Sequence, residues 1–278
     1  MVKLSRLQLV AGILLLADAI QAQVLFDGAL GFPGAQGWTF FATGGSQSLN
    51  NGAVHLDTSA VNSYQGGYSL IAPTALNHSN GFTLEFTAQV LTEAHANTNR
   101  AGFSVILLSD DKHGIELGFW TNTIFAQADS PLFNHAEDTN FSTTDGLVTY
   151  ALTFRATNYL LRANGTPILA GPLRNYEAFI GFPDPYSTPN FLFLGDDTTS
   201  AGGMLALRKV VLITPPQLSL ARERLLSWTG VAGQSYTVLV SSNLVNWMAV
   251  QTVTSTNSSF SYTNNSSASA QFFRVSYP

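Results

Sequence analysis

From Gln23 onward, apolar and polar residues alternate with a period of two, and no stretch keeps the 3.6-residue period of an amphipathic helix. In Phe82 to Val90 every even-numbered residue is apolar and every odd-numbered residue is polar. The alternation recurs in Ala101 to Leu108, in Ile115 to Phe119 and in Val148 to Phe154. This pattern predicts an all-β protein whose strands turn one face to the core and the other to water.

Turn residues separate the predicted strands and divide the chain into two parts. Asn164-Gly165 lies between two short alternating runs and is the dipeptide most typical of a tight β-hairpin. Pro215-Pro216 interrupts both strand and helix and indicates a linker. Five short predicted strands follow within about sixty residues, a density typical of a small sandwich. We therefore predict a first domain over residues 23–214 and a second over residues 215–278.

The N-terminus has the layout of a secretory signal peptide. Lys3 and Arg6 precede an apolar run from Leu7 to Ala17 that is too short to span a bilayer, and small residues follow it. Cleavage after Ala19 and cleavage after Ala22 both remain open, and we favour the second because the strand-like sequence begins there. We expect residues 1–22 to be removed, leaving a secreted, extracellular protein with no membrane partner.

Charge and cysteine content exclude several classes of function. Twelve Lys and Arg against seventeen Asp and Glu give a net charge of −5, which argues against nucleic acid as a partner. The chain has no cysteine, so thiolate metal sites, disulfide frameworks and cysteine nucleophiles are excluded. Only 10% of the residues are charged, against about 25% in an average soluble protein. Charged residues on the polar phase of the central strands are therefore informative.

Strand and hairpin sequences of the first part carry a family resemblance. Gly81 to Phe86, Gly114 to Trp120 and the hairpin from Tyr159 to Ala170 resemble the concanavalin A-like, or laminin G-like, jelly-roll superfamily of lectins and glucanases. The resemblance implies an antiparallel jelly-roll sandwich. A closer likeness, to a bacterial exported family named choice-of-anchor Y, is carried by Leu25 to Gly28, Gln36 to Trp38, Arg100 to Leu108 and Leu194 to Ala201.

The second part resembles a different kind of module. Leu226 to Trp228, Gly233 to Val238, Ser242 to Trp247 and Phe272 to Val275 are similar to the fibronectin type III-like units of many secreted bacterial proteins. The resemblance implies a small β-sandwich that acts as a spacer or an adhesion unit.

If the jelly-roll prediction holds, the polar-phase residues of the central strands face a concave groove. Sugar rings are bound by a flat aromatic ring against their C–H faces and by amides, carboxylates and guanidinium groups at their hydroxyls. Trp120 is the predicted stacking platform. The other predicted ligand-binding residues are Arg100, Gln127, Gln89, Ser104 and His135. In the opposing interpretation Trp120 anchors a strand edge and the charged residues only solvate an outer face.

An enzyme on the same groove is the second hypothesis. A glycosidase needs two carboxyl groups about 5 to 9 Å apart, and Glu116, Glu85 and Glu137 are the candidate catalytic residues. The chain lacks the Glu-x-Asp-x-x-Glu strand signature of the laminarinase-like members of the superfamily. Carbohydrate binding without hydrolysis is therefore the first hypothesis.

Two further alternatives remain open. A polysaccharide lyase needs a group that neutralises a uronate and a base for the C5 proton, and Arg100, Gln127, His135 and Tyr150 are residues of the right types. Tyr150, however, falls on the apolar phase of its strand, so a lyase ranks below a hydrolase. The last alternative is a surface adhesion or structural protein with no small ligand.

Acidic residues in predicted loops suggest calcium as the one cofactor to consider. Asp110-Asp111, Asp129, Asp138 and Asp196-Asp197 offer hard oxygen ligands of the kind that calcium prefers. Asp196 and Asp197 are the best candidate ligands. The alternative is that these residues are solvated members of turns.

Overall fold

A computed structural model describes residues 15–17, 21–214, 218–221, 225–264 and 271–276. They form two compact units, one made of residues 23–213 and the other of the remaining described residues. The described part of the chain consists of strands and three short 3-10 turns, and no helix in it is long and apolar enough to cross a membrane. The predicted proline linker at Pro215-Pro216 and most of the predicted signal peptide lie outside the described residues.

The strands alternate with short turns over the whole described chain. In chain order they are β1 Leu15–Ala17, β2 Gln21–Asp27, β3 Thr39–Thr43, β4 Ser46–Asn50, β5 Ala53–Asp57, β6 Gln65–Ile71, β7 Phe82–His95, β8 Ser104–Leu108, β9 Gly114–Phe119, β10 Thr123–Asp129, β11 Leu132–Asn140, β12 Val148–Arg155, β13 Asn158–Ala163, β14 Thr166–Pro172, β15 Phe191–Asp196, β16 Ala201–Thr214, β17 Leu218–Ala221, β18 Leu225–Thr229, β19 Ser235–Ser241, β20 Met248–Thr254, β21 Ser259–Thr263 and β22 Phe272–Ser276.

The first unit is a sandwich of two sheets. The front sheet has the order β11-β10-β9-β8-β15-β6-β3, and the back sheet has the order β14-β13-β12-β7-β16-β5-β4 with β2 added beside β16. Neighbouring strands pair antiparallel, as between β7 and β12 or between β8 and β9. The predicted all-β jelly-roll sandwich is thereby confirmed.

Alternation along the strands builds the core between the two sheets. In β7 the apolar phase from Phe82 to Val90 is buried, as its period of two predicts. Phe86 lies at the centre of this core, where its ring stacks on Tyr150 at 5.1 Å between centroids and meets the edge of Phe119 at 6.0 Å. Phe119 belongs to the front sheet, so these rings pack the sheets together.

The outer face of the front sheet is also partly covered. Every residue of β8 and β9 is buried, whereas a strand with one face in water would have every second residue exposed. The cause is the connection of residues 173–190 between β14 and β15, here named the covering loop. Its Tyr176 and Tyr186 pack on Ile106, Phe133 and Phe193 and form a second, smaller core with them.

The second unit contains two small sheets of its own. Their orders are β17-β18-β21 and β1-β22-β19-β20. Trp228, Tyr236, Phe260 and Phe273 belong to their shared core. β1, which lies within the predicted signal peptide, pairs in parallel with β22. The fibronectin type III-like assignment and the removal of residues 1–22 stay predictions.

Candidate functional site

A cleft of about 640 Å³ opens on the outer face of the front sheet, beside the covering loop. Phe193 of β15 and Ser69 of β6 line it from the sheet, and Phe41 lines it from the edge strand β3. The covering loop and the turn of residues 197–200 after β15 supply the other walls. Its volume lies within the range of about 300 to 1,000 Å³ that is usual for small-molecule sites.

Aromatic rings dominate the walls of this cleft. Phe182, in the covering loop, is fully exposed, and Phe41 is 38% exposed. Phe41 also packs against Phe193, with ring centroids 5.8 Å apart. Neither residue could be predicted from the sequence pattern: Phe182 lies in a loop without periodicity, and its exposure depends on how the loop crosses the sheet. The cleft thus offers flat apolar surfaces that are open to solvent.

Charged groups meet where the cleft approaches β9. Arg100 and Asp197 line the cleft, and Ser104 of β8 makes a side-chain hydrogen bond to Asp197. Glu116 of β9 is fully buried beneath Tyr186, whose hydroxyl donates a hydrogen bond to Oε2. The Nη1 atom of Arg100 lies 3.9 Å from Oε1 of Glu116. The structure brings together four residues that were predicted as candidates from the sequence, namely Arg100, Ser104, Glu116 and Asp197.

Burial dominates the electrostatics of this group. The pKa of Glu116 is raised to about 8, mainly by burial and also by the neighbouring Asp197, while the hydrogen bond from Tyr186 and the charge of Arg100 act in the opposite direction. Burial also raises the pKa of Asp197, and Arg100 and Ser104 oppose that rise. Burial thus favours the protonated form of Glu116, and the Asp197 carboxyl group is the acid that faces Arg100 from the cleft.

We expect the raised pKa of Glu116 to make the first unit less stable as the pH rises. The folded-state pKa of about 8 lies above the ordinary value of 4.5, so the folded protein binds more protons between these two pH values. The free energy of unfolding should then fall by about 1 kcal/mol per pH unit across that window. Glu116→Gln, which imitates the protonated form, should reduce the slope by about this amount in urea unfolding measured at pH 5, 6, 7 and 8, while the raised pKa of buried Asp196 leaves a slope of its own.

Glu85→Gln on the back sheet serves as the matched control and should keep the slope. Equal slopes in the Glu116→Gln variant and the unchanged chain would show that Glu116 does not hold its proton in the folded state.

The structure does not bring the three predicted catalytic glutamates into one groove. Glu85 lies on the polar phase of β7 in the back sheet, so it faces away from the cleft across the whole sandwich. Glu137 is occupied elsewhere: Arg174 lies 2.6 Å from its Oε2, and the hydroxyl of Tyr159 donates to its Oε1 at 2.9 Å. Glu116 is buried under Tyr186.

Other predicted groove residues are also corrected by their position. Gln89 lies on the back sheet, where its Nε2 donates to the carbonyl of Thr144 at 2.7 Å. Tyr150, one of the two candidate bases in the lyase alternative beside His135, is buried in the core between the sheets. Neither side chain reaches the cleft, because Gln89 points outward from the back sheet and Tyr150 points inward to the core.

Trp120 does not offer a free stacking face. The His95 ring covers it at a centroid distance of 4.2 Å with an angle of 8° between the planes. The Nε1 atom of Trp120 donates to the backbone carbonyl of Arg100 at 2.8 Å. The predicted stacking platform is therefore a positioning residue for the turn that carries Arg100.

Gln127 and His135 hold the same turn. The Nε2 atom of buried Gln127 donates to the carbonyl of Asn99 at 2.7 Å, and the backbone N–H of His135 donates to Oδ1 of Asn99 at 2.8 Å. The His135 ring stacks on Phe125 and is not a lining residue of the cleft. These residues act on the cleft only through the backbone beside Arg100.

Asp196 and Asp197 do not form the predicted shared calcium site. Asp196 is buried and accepts hydrogen bonds from Thr58 Oγ1 at 2.6 Å and from the backbone N–H of Thr198 at 3.1 Å, and burial raises its pKa to about 8. Asp197 points instead toward Arg100 and the cleft. Among the residues that the structure describes, no three acidic or histidine side chains are grouped so that they could hold a metal ion.

The remaining acidic candidates for calcium have partners within the protein. Asp111 lies 3.0 Å from Nε2 of His78, Asp138 lies 2.9 Å from Nε2 of His135, and Asp129 accepts from the backbone N–H of Asn175 at 3.0 Å. Asp110 lies 3.4 Å from Nδ2 of Asn77.

No family model and no curated protein matches this sequence. Solved structures do resemble it. A carbohydrate esterase, vb_24B_21, from the Shiga toxin-encoding bacteriophage phi24B aligns with a TM-score of 0.50 at 15% identity, over 70% of this chain and 97% of that one. The metal-free carbohydrate recognition domain of Emp46p aligns with a TM-score of 0.44 at 14% identity, over 68% and 94%. A Bacillus subtilis protein of unknown function with a galectin-like fold aligns with a TM-score of 0.43 at 11% identity, over 72% and 98%.

At these identities the likeness to the phage protein concerns the fold alone. The closer resemblance to the choice-of-anchor Y family stays a prediction, since no family model matches. The chain shares a jelly-roll β-sandwich fold with that phage protein.

Proposed function

We propose that the first unit binds carbohydrate in the front-sheet cleft. The observation that carries this proposal is the combination of exposed aromatic rings, Phe41 and Phe182, with the polar pair Arg100 and Asp197 in one cleft of about 640 Å³. Rings of this kind pack against the C–H faces of sugars, and the polar groups bind hydroxyls. The phage protein with the same fold is itself described as a carbohydrate esterase, which agrees with the proposal.

The geometry favours binding over hydrolysis. A glycosidase needs two carboxyl groups on opposite sides of the scissile bond. Asp197 and Asp184 line the cleft, but Oδ1 of Asp184 accepts the backbone N–H of Tyr186 at 3.0 Å and caps a 3-10 turn. Asp197 is held by Arg100 and Ser104. With its predicted signal peptide, the chain is proposed to be a secreted protein that recognises an extracellular polysaccharide.

A glycan array probed with the full chain tests this proposal. We expect binding to at least one polysaccharide, and we expect Phe41→Ala and Phe182→Ala each to weaken it by about tenfold, because each removes a ring that packs against sugar. Ile180→Ala is the matched control, since Ile180 is 97% exposed in the same loop but does not line the cleft.

Two results would count against the proposal in different ways. Failure of the unchanged chain to bind any glycan would leave the adhesion or structural hypothesis in its place. Binding that both phenylalanine variants retain in full would place the glycan outside the cleft.

A further inference from the structure

The charges that face the cleft do not favour an anionic ligand. Among the described lining residues, the side chains that carry charge are Arg100, Asp184 and Asp197. One cation therefore stands against two carboxylates, and Glu116 lies directly behind Arg100. A ligand that carries a carboxylate on every sugar ring would be repelled by this set unless the cation were free to meet it.

Arg100 is not free. Its Nη1 lies 3.9 Å from Glu116, Asp197 interacts with it from the cleft side, and its guanidinium carbon lies 4.5 Å above the centroid of the Phe133 ring. A guanidinium group recognises a carboxylate best when two parallel N–H donors are available to it. Here Glu116 and Asp197 already oppose the charge of the guanidinium group, and the Phe133 ring lies against it, so a ligand carboxylate would have to compete with Asp197 for Arg100.

The rest of the cleft surface suits uncharged sugar. Ser69, Thr188 and Thr199 line it with hydroxyl groups, and Gln65 donates to the backbone carbonyl of Asp197 at 2.8 Å, which fixes the position of that residue. A carboxylate in such a place accepts hydrogen bonds from sugar hydroxyls that are stronger than those to a neutral acceptor.

Resting on the proposed function, we infer that the cleft selects glycan chains of uncharged or amino-bearing sugars and excludes uronic acid chains, with Asp197 as the residue that sets this selectivity. The inference adds a ligand class to the proposed function. It also argues against the lyase alternative, whose substrates are uronates.

The test compares each neutral oligosaccharide with its own acidic derivative. Cellohexaose, laminarihexaose and mannohexaose are measured by calorimetry with the full chain, each beside the same chain oxidised to the uronic acid at C6. We expect at least one neutral hexasaccharide to bind and its oxidised form to bind about tenfold or more weakly. Binding of the oxidised form should strengthen as salt is raised from about 20 to 300 mM, because salt screens repulsion.

Asp197→Asn should reduce the ratio of the affinities for the neutral and the oxidised hexasaccharide by about tenfold, since it removes one repelling charge and releases Arg100. Asp138→Asn makes the same charge change on a side chain that does not line the cleft, and it should leave this affinity ratio unchanged. The salt series on the unchanged chain needs no variant, so it decides the matter even if Asp197→Asn fails to fold.

The outcomes separate the inference from the proposal beneath it. Oxidised chains that bind as well as the neutral ones would overturn the inference while carbohydrate binding stands. An Asp138→Asn effect equal to that of Asp197→Asn would also overturn it, because only the overall charge would then matter. Absence of binding to every probe, and to every glycan of the array, would overturn the proposed function itself.

Discussion

Arg100→Ala is expected to lower the free energy of unfolding of the first unit by about 3 kcal/mol. The substitution removes the cation that faces Asp197 and leaves that carboxyl group, whose charge burial already disfavours, without an opposite charge. It also removes the guanidinium group from the Phe133 ring. Glycan binding should fall at the same time, since Asp197 loses the partner that holds it.

Two variants separate charge from the loss of a long side chain. Arg100→Lys keeps the cation and should recover part of the stability, although an ammonium group cannot reproduce the planar contact with Phe133. Arg155→Ala removes an arginine whose side chain is exposed, and it should change the free energy of unfolding by less than about 0.5 kcal/mol. Urea unfolding at pH 7 measures all three, and equal effects of Arg100→Ala and Arg155→Ala would show that the buried carboxyls do not need Arg100.

Phe86→Ala should have the largest effect on stability, a loss of about 3–5 kcal/mol. The Phe86 side chain has no exposed surface, and its ring lies between Tyr150 of the back sheet and Phe119 of the front sheet. Alanine would leave a cavity at the centre of the sandwich, and rings held by β-strands on both sides cannot close it fully. Thermal and urea unfolding of the full chain measure this loss.

The same substitution at an exposed phenylalanine is the control. Phe182→Ala removes a ring that is fully exposed, so it should change stability by less than about 0.5 kcal/mol while it weakens glycan binding. A Phe86→Ala variant as stable as the Phe182→Ala variant would contradict the position of Phe86 in the core.

The strands of the first unit could be predicted because their alternation is local. The apolar phase of Phe82 to Val90 is buried, and Asn164-Gly165 turns the chain between β13 and β14 with positive φ at both residues, 47° and 84°. Such angles are those that a tight hairpin turn requires and that asparagine and glycine tolerate. Each of these signals is contained within a few neighbouring residues.

The candidate site could be predicted only in part, because alternation gives a residue's phase on a strand but not the sheet to which the strand belongs. β7 and β8 follow one another along the chain, yet β7 pairs with β12 and β16 in the back sheet while β8 belongs to the front sheet. Glu85 lies on β7, and Glu116 lies on β9, which is beside β8 in the front sheet, so the two side chains point to opposite outer faces of the sandwich. Phe182 was missed for a related reason, since the path of the covering loop depends on contacts between residues far apart in sequence.

The position of the bound sugar tests the central claim most directly. A crystal structure of the full chain with a glycan identified by the array should show a sugar ring packed against Phe41 or Phe182, with a hydroxyl hydrogen-bonded to Asp197. A glycan bound on the outer face of the back sheet, beside Glu85 and Gln89, or on the second unit would contradict it.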